Sequence, residues 1–108
     1  MFAMIVTGGI MAQRIPVVPN PLPVPSGTPF PHAPMLVPEA YLDEGIVFVY
    51  YPYSVDMTVV VRKVDGSEVV ADNTVYSSTS AVVYGLEPAE YILEITINGQ
   101  LYEGIFEI

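Results

Sequence analysis

Residues 86–108 read LEPAEYILEITINGQLYEGIFEI, and this stretch decides the fold. Its first half has the Leu-x-Pro-x-x-Tyr spacing of a tyrosine corner, formed by Leu86, Pro88 and Tyr91. In such a corner the tyrosine opens a strand and its hydroxyl bonds backward to the crossing loop, while the proline stiffens the turn. We therefore assign these three residues a structural role. A catalytic role for the Tyr91 phenol is disfavoured, because no base or metal-binding motif accompanies it.

The second half of this stretch predicts a β-hairpin. Asn98-Gly99 joins two runs rich in β-branched and aromatic residues, Glu90–Ile97 and Gln100–Ile108, and this dipeptide suits the two-residue turns that connect antiparallel strands. A two-residue turn here pairs positions whose numbers sum to 197. Tyr91, Leu93 and Ile95 then lie on the core side of the hairpin with their cross-strand partners.

The sequence from residue 35 to the hairpin continues the β pattern. Short runs of β-branched and aromatic residues alternate with turn residues about every 8 to 12 positions, the spacing of an antiparallel sandwich. The chain is thus predicted to be all-β, with an immunoglobulin-like antiparallel β-sandwich of about seven strands over residues 35–108. We expect Pro52 to end one strand and Ser77–Ser80 to form a loop. The runs before the hairpin are Leu36–Leu42, Ile46–Tyr51, Val55–Val64, Glu68–Asp72, Val75-Tyr76 and Ala81–Tyr84.

Two segments of different character precede the sandwich. Residues 1–13 carry no charge and place an apolar run before small residues, which indicates a signal-peptide remnant that lacks its basic start, with cleavage after Ala12 or Gln13. A first strand in this segment is the alternative. Residues 14–34 form a proline-rich N-terminal arm, expected to be a tether or to lie along an edge of the domain. It serves as a spacer or as a ligand for an aromatic groove.

The composition excludes several classes of function. The 108 residues include no cysteine, 12 acids and only 3 bases, for a formal net charge of −9. Nucleic-acid binding, stable membrane insertion, disulfides and thiol chemistry are all disfavoured. The single histidine, His32, lies in the arm and cannot hold a metal alone. We predict a protein that is not an enzyme, with no catalytic residues, metal or cofactor.

The outer face of the final hairpin is the candidate contact site. It places like charges opposite each other, at Glu90 with Glu107 and at Glu94 with Glu103, which is unfavourable unless something compensates. Arg62 on the neighbouring strand is expected to neutralise part of this cluster. Alternatively, an apolar centre rimmed by carboxylates is a recognition surface for a basic protein or for a second copy. This contact face comprises Val60, Arg62, Glu90, Ile92, Glu94, Glu103, Ile105 and Glu107.

Two chemical interpretations of the same carboxylates are weaker. A calcium site needs six to eight oxygens, and few converge on a flat sheet face. A glycosidase-type acid pair at Glu94 and Glu103 would lack the cleft that raises one pKa.

Tyr50, Tyr51 and Tyr53 lie around Pro52 at a predicted strand end. They are the candidate contacts for a glycan, if their rings are exposed rather than packed. A third class of function is structural, in which a free edge strand accepts another chain by β-augmentation.

From Gly45 to the C-terminus the chain resembles a known family. The residues that carry the resemblance are Ile46–Tyr50, Met57–Val70, Gly85–Ile95 and Gly104–Ile108. They are similar to the domain of unknown function 3244 family of short exported Bacteroides-type proteins. The resemblance implies an immunoglobulin-like sandwich, export to the periplasm, cell surface or medium, and no assigned activity. The C-terminal sorting domains of type IX secretion cargo show a related pattern, but no large cargo domain precedes this one and its C-terminus is not lysine-rich.

Overall fold

The computed structural model describes residues 12–20 and 37–108, which form seven β-strands. No helix in this described part is long and apolar enough to cross a membrane. The strands are β1 (Gln13–Ile15), β2 (Val18–Asn20), β3 (Glu39–Asp43), β4 (Ile46–Lys63), β5 (Val69–Val83), β6 (Glu90–Ile97) and β7 (Gln100–Glu107).

All seven strands pair antiparallel, in two layers that share β4 and β5. In the first layer, residues 46–50 of β4 pair with β3 on one side and with residues 80–83 of β5 on the other, and β1 pairs with β3. In the second layer, residues 55–63 of β4 lie between the first half of β5 and β6, followed by β7 and β2. Because β4 and β5 bend between the layers, one long hairpin contributes to both.

The bend corrects the prediction that Pro52 ends a strand and that Ser77–Ser80 form a loop. Tyr50 pairs with Ser80, and the next paired position is Val55 with Ser78, so the residues around Pro52 oppose no partner. Proline lacks a backbone N–H, but no ladder hydrogen bond is lost where the ladder is already interrupted. The predicted runs on either side of each interruption therefore join into β4 and β5.

Side chains on both strands fix this bend. Ser77 adopts a positive φ of 48°, and its backbone N–H donates to Oδ1 of Asp56 at 3.0 Å. The Ser78 hydroxyl donates to the Ser80 carbonyl at 2.8 Å. Short polar side chains can replace ladder hydrogen bonds in this way, which explains why a serine-rich stretch remains ordered inside a strand.

The core lies between the two layers and is entirely apolar. Residues with alternate numbers on β4 and β6 face inward, as their period predicts. No polar or charged residue is buried in the described part of the chain. The only hydroxyl groups on core side chains are those of Tyr91 and Tyr102. The core side chains are Ile15, Ala40, Leu42, Val47, Val49, Met57, Val59, Val61, Ala81, Val83, Tyr91, Leu93, Ile95, Ile97, Tyr102 and Phe106.

Part of the proline-rich arm belongs to the sandwich, which therefore extends to the N-terminal side of residue 35. Residues 13–15 pair with β3 in the first layer and residues 18–20 pair with β7 in the second. The chain crosses from one layer to the other at Pro16, and Ile15 is 2% exposed within the core. Both segments are edge strands of their layers. His32 and the rest of the arm lie outside the described residues.

The tyrosine corner has its predicted geometry. Tyr91 is buried at the start of β6, and its hydroxyl donates a hydrogen bond to the Glu87 carbonyl in the loop that crosses from β5. The Tyr91 ring stacks on Phe106, with centroids 5.3 Å apart. Leu86 packs against the core from the same loop, while Pro88 is exposed. The corner thus fixes the entry into the final hairpin.

Candidate functional site

The predicted contact face lies on the outer side of the second layer. The β6–β7 register has the predicted sum of 197, so Ile92 is opposite Ile105 and Glu94 is opposite Glu103. Val60 on β4 pairs with Glu94, which places it in the same row. Six of the eight predicted residues form two rows across β4, β6 and β7, and the other two, Glu90 and Glu107, pair with each other in the next row at the end of the hairpin.

Arg62 neutralises one carboxylate of this face. Its Nε donates to Oε1 of Glu94 at 2.8 Å, and its Nη1 lies 3.4 Å from the Ser67 carbonyl oxygen. Arg62 pairs directly with Ile92, so its side chain reaches Glu94 diagonally across the two strands. Because both partners retain contact with solvent, the pair contributes less than about 1 kcal/mol to stability. Its main effect is to reduce repulsion along the glutamate row.

The opposed carboxylate Glu103 has a different partner. The side-chain amide of Asn20 donates a hydrogen bond to Glu103. Asn20 lies on β2, which pairs with β7 at the far edge of the layer. Thus each member of the central carboxylate pair accepts from its own donor, while Glu90 and Glu107 face solvent at the end of the hairpin. Sequence reasoning missed Asn20, because the arm gave no strand pattern.

An apolar groove of about 500 Å³ occupies the β6–β7–β2 side of this face. Ile105 is 64% exposed and Val18 is 58% exposed, and both line the same groove. We call this the outer groove; it is lined by Pro16, Val18, Ile92, Glu103, Gly104 and Ile105. Ile92, Glu103 and Ile105 were predicted contact residues, whereas Pro16 and Val18 were not.

The carboxylates do not assemble into a metal centre. Within residues 12–20 and 37–108, no three acidic or histidine side chains are positioned to hold a metal ion. Glu94 and Glu103 each accept a hydrogen bond from a nitrogen donor through Oε1, so neither carboxylate is without a partner.

The tyrosines near Pro52 divide into exposed and packed rings. Tyr50 is 46% exposed and Tyr53 is 60% exposed, whereas Tyr51 is half-buried and packs against the core. The Tyr51 and Tyr53 rings meet edge to face, with centroids 6.4 Å apart. A groove of about 300 Å³ opens beside them, lined by Val37, Glu39, Tyr50, Tyr51 and Pro52.

Tyr50 belongs to a larger aromatic surface that sequence reasoning missed. Its ring meets that of Tyr41 edge to face, with centroids 6.0 Å apart. Tyr41 pairs with Phe48 on β4 and with Arg14 on β1. Its hydroxyl donates to Oε1 of Glu39 at 2.8 Å, and this hydrogen bond, with a smaller contribution from burial, raises the Tyr41 pKa above its usual value. The alternation of side chains along β3 and β4 could have predicted this surface, because it places Tyr41 and Tyr50 on the same face of the sheet.

Comparison with known proteins supports the fold. No protein-family model matches the sequence, and a search of curated proteins finds no match. Among solved structures, the chain is similar to a DUF3244 family protein from Bacteroides vulgatus ATCC 8482, described as having an immunoglobulin-like β-sandwich fold. The TM-score is 0.69 at 15% sequence identity, over 91% of this chain and 99% of that chain. The chain therefore has an immunoglobulin-like β-sandwich fold and resembles the DUF3244 family, as its sequence predicted.

Proposed function

We propose that this protein is an exported, non-catalytic interaction module that binds a protein partner on the outer face of its second layer. The observation that carries the proposal is the outer groove. Exposed apolar side chains surrounded by polar ones are typical of protein contact sites, and single exposed residues would not form such a groove.

The chemistry of the partner follows from the charges around the groove. Glu103 lines it, Glu90 and Glu107 face solvent nearby, and Arg62 is occupied by Glu94. A partner segment that combines apolar side chains with lysine or arginine therefore fits best. Its association should be fast at low ionic strength and should weaken as salt is added, because exposed charges are screened.

A peptide-display selection on the full chain tests this proposal. We expect the selected peptides to carry basic and apolar residues and to lose binding to the I92T/I105T variant, which keeps β-propensity while removing apolar surface. The matched control is V70T, a similar change at an exposed position away from the groove. If the selected peptides bind I92T/I105T as well as the wild type, the outer groove is not the contact site.

Export is the second part of the proposal. It is supported by the uncharged apolar segment 1–13 and by the likeness of the fold to a Bacteroides protein. Cleavage after Ala12 would leave β1 complete, because this strand begins at Gln13. Cell fractionation, with mass spectrometry of the mature N-terminus, tests this. An uncleaved protein confined to the cytoplasm would contradict export.

Glycan binding at the tyrosines is the second candidate function. The exposure of Tyr50 and Tyr53 beside a groove favours it, since aromatic faces provide stacking surface and the hydroxyls provide hydrogen bonds. A glycan array should show a ligand that is lost with Y53A and Y50A but retained with Y76A, which removes an exposed ring elsewhere. Equal binding by all three variants would exclude these tyrosines.

A further inference from the structure

Strand β5 is an edge strand along its whole length. Among the described residues its only pairing partner is β4. The other two edges are formed by β1 and β2, which are three residues long and adjoin or contain a proline. Strand β5 has 15 residues, with no proline and no lysine. It therefore lacks the shortness, the proline and the lysine by which many edge strands prevent pairing with another chain, and its β-bulges lie at the two ends of the regular stretch 71–75.

The first half of β5 is the open part. In the second half, the side-chain amide of Asn73 donates to the Val82 carbonyl at 2.9 Å, so one backbone acceptor there already has a partner. Residues 69–76, which we call the β5 edge, contain one charged side chain, Asp72, and three exposed apolar ones: Val69, Val70 and Tyr76. An edge of this kind presents backbone donors and acceptors whose natural partner is an extended strand.

We propose that the β5 edge binds the β5 edge of a second copy of this chain, antiparallel, with Asn73 opposite Asn73. In a symmetric antiparallel pair, this register places Val70 of each copy opposite Tyr76 of the other. Tyr76 is 74% exposed and Val70 is 37% exposed, so pairing would cover two of the three exposed apolar side chains of the edge. Pairs of an aromatic and a β-branched residue are favourable across antiparallel strands.

Neighbouring registers are less favourable. Centring the pair on Asp72 places two carboxylates directly opposite each other. Centring it on Thr74 places Asp72 opposite Tyr76 and Val70 opposite the polar Ser78. Of these three registers, only the one centred on Asn73 places Val70 opposite Tyr76. It also places Asp72 opposite Thr74. The edge is thus complementary to itself, which is what an isologous two-fold interface requires.

The charge of the protein gives this interaction a distinct salt dependence. All 12 acids lie from Glu39 onward, against Arg62 and Lys63, so two copies repel each other at long range. Added salt screens this repulsion and should strengthen the pairing. Binding of a basic partner to the outer groove would instead weaken, so the two interactions are separable in one salt series.

Sedimentation equilibrium of the full chain, at low and high salt, tests the proposal. We expect a reversible dimer that strengthens with salt. The double variant V70K/Y76E should still dimerise, because the register sets opposite charges against each other. V70K/Y76K should weaken the dimer by at least about tenfold, because it opposes like charges. Circular dichroism checks that both variants fold.

Two results would overturn this proposal. One is a wild-type protein that stays monomeric up to about 1 mM in high salt, since a specific strand pair weaker than this would have no appreciable affinity. The other is equal association by V70K/Y76E and V70K/Y76K, which would place Val70 and Tyr76 outside the interface. The I92T/I105T variant should dimerise like the wild type, so failure of the outer groove as a binding site leaves this test intact.

Discussion

Replacing Gly104 with alanine should release the N-terminal strands from the sandwich. Gly104 lies within β7, facing the core opposite Leu93, at the point where the chain crosses between layers at Pro16. An alanine Cβ there would lie 2.4 Å from the Pro16 carbonyl oxygen and 2.9 Å from Cγ1 of Val17. The same atom would also lie 3.2 Å from Cγ2 of Ile15. The first contact is with backbone, so a side-chain rotation cannot relieve it.

The free-energy cost can be bounded from two directions. Forcing a methyl group into a packed site costs about 1–3 kcal/mol. Alanine restricts the unfolded chain more than glycine, which returns about 0.4–1 kcal/mol. If the segment detaches instead, the loss is that of exposing Ile15, about 1.5–3 kcal/mol. We therefore expect G104A to lower the free energy of unfolding, or of segment release, by about 1–2 kcal/mol.

Trypsin separates release of the segment from global unfolding. The chain has three basic residues, Arg14, Arg62 and Lys63. Arg14 lies in β1, whereas the other two lie near the end of the long strand β4. Cleavage after Arg14 therefore reports opening of the N-terminal segment, and cleavage at the other sites reports loss of the sandwich. In the regime where opening is faster than cleavage, each 1.4 kcal/mol accelerates the reaction about tenfold.

We expect G104A to be cleaved faster than the wild type after Arg14, with a smaller increase in the cleavage rate at Arg62 and Lys63. Mass spectrometry of the fragments over time measures both rates. The matched control is V70A, a truncation at an exposed position of β5, at the opposite end of the strand order from β2, which should leave the cleavage rate after Arg14 unchanged. If G104A has the wild-type urea midpoint and the wild-type cleavage rate, the chain does not cross against Gly104, and the packing described above is wrong.

Three further predictions concern single side chains. Y91F should destabilise the fold by about 1–2 kcal/mol in urea denaturation, because the buried ring keeps its packing but the Glu87 carbonyl loses its donor; an equal effect of Y84F, at an exposed ring, would contradict this. R62Q should cost less than about 1 kcal/mol, and the cost should disappear in high salt, since the Glu94 pair is partly exposed. Burial raises the Tyr102 pKa above its usual value of 10.0. The folded state thus retains this proton at pH values where the unfolded state loses it. The contribution to stability is therefore present below pH 10 and falls as the pH rises above it. Y102F should reduce the pH dependence of the urea midpoint across that range.

The final hairpin could be predicted from the sequence because its determinants are local. The turn type follows from Asn98-Gly99, the register follows from the turn length, and the register decides which side chains face the core. The corner at Tyr91 is equally local, since its hydroxyl bonds to a carbonyl only four residues earlier. These two elements alone give the register of the final hairpin correctly, down to the pairing of Glu94 with Glu103.

The bend in the long hairpin could not be predicted by the same reasoning. Pro52 and Ser77 both look like strand ends, because proline lacks a donor and serine favours turns. Whether such residues end a strand or bend it depends on the partner strand, and here both strands are interrupted at the same level. The two interruptions lie far apart in sequence, so their alignment depends on the register between β4 and β5, which is known only from the structure.

The arm posed a different problem, because its pattern is dominated by proline. A proline-rich segment offers few backbone donors. A strand of three residues such as β2 is therefore stabilised mainly by side-chain packing and by its neighbour β7. Gly104 carried the one sequence signal: a glycine inside a strand often marks the close approach of another backbone. Because the N-terminal backbone passes close to Gly104, Pro16 and Val18 line the outer groove. The predicted face did not include these two residues.

The order of strands in the second layer relates the two proposed interactions. It runs β5, β4, β6, β7, β2, so the β5 edge and the outer groove lie at opposite ends of one sheet. Pairing through β5 would extend this sheet across two copies and leave a groove near each far end. Neither interaction would cover the residues of the other. A dimer of this kind is bivalent, and a partner arrayed on a surface would be held more tightly than its single-site affinity allows.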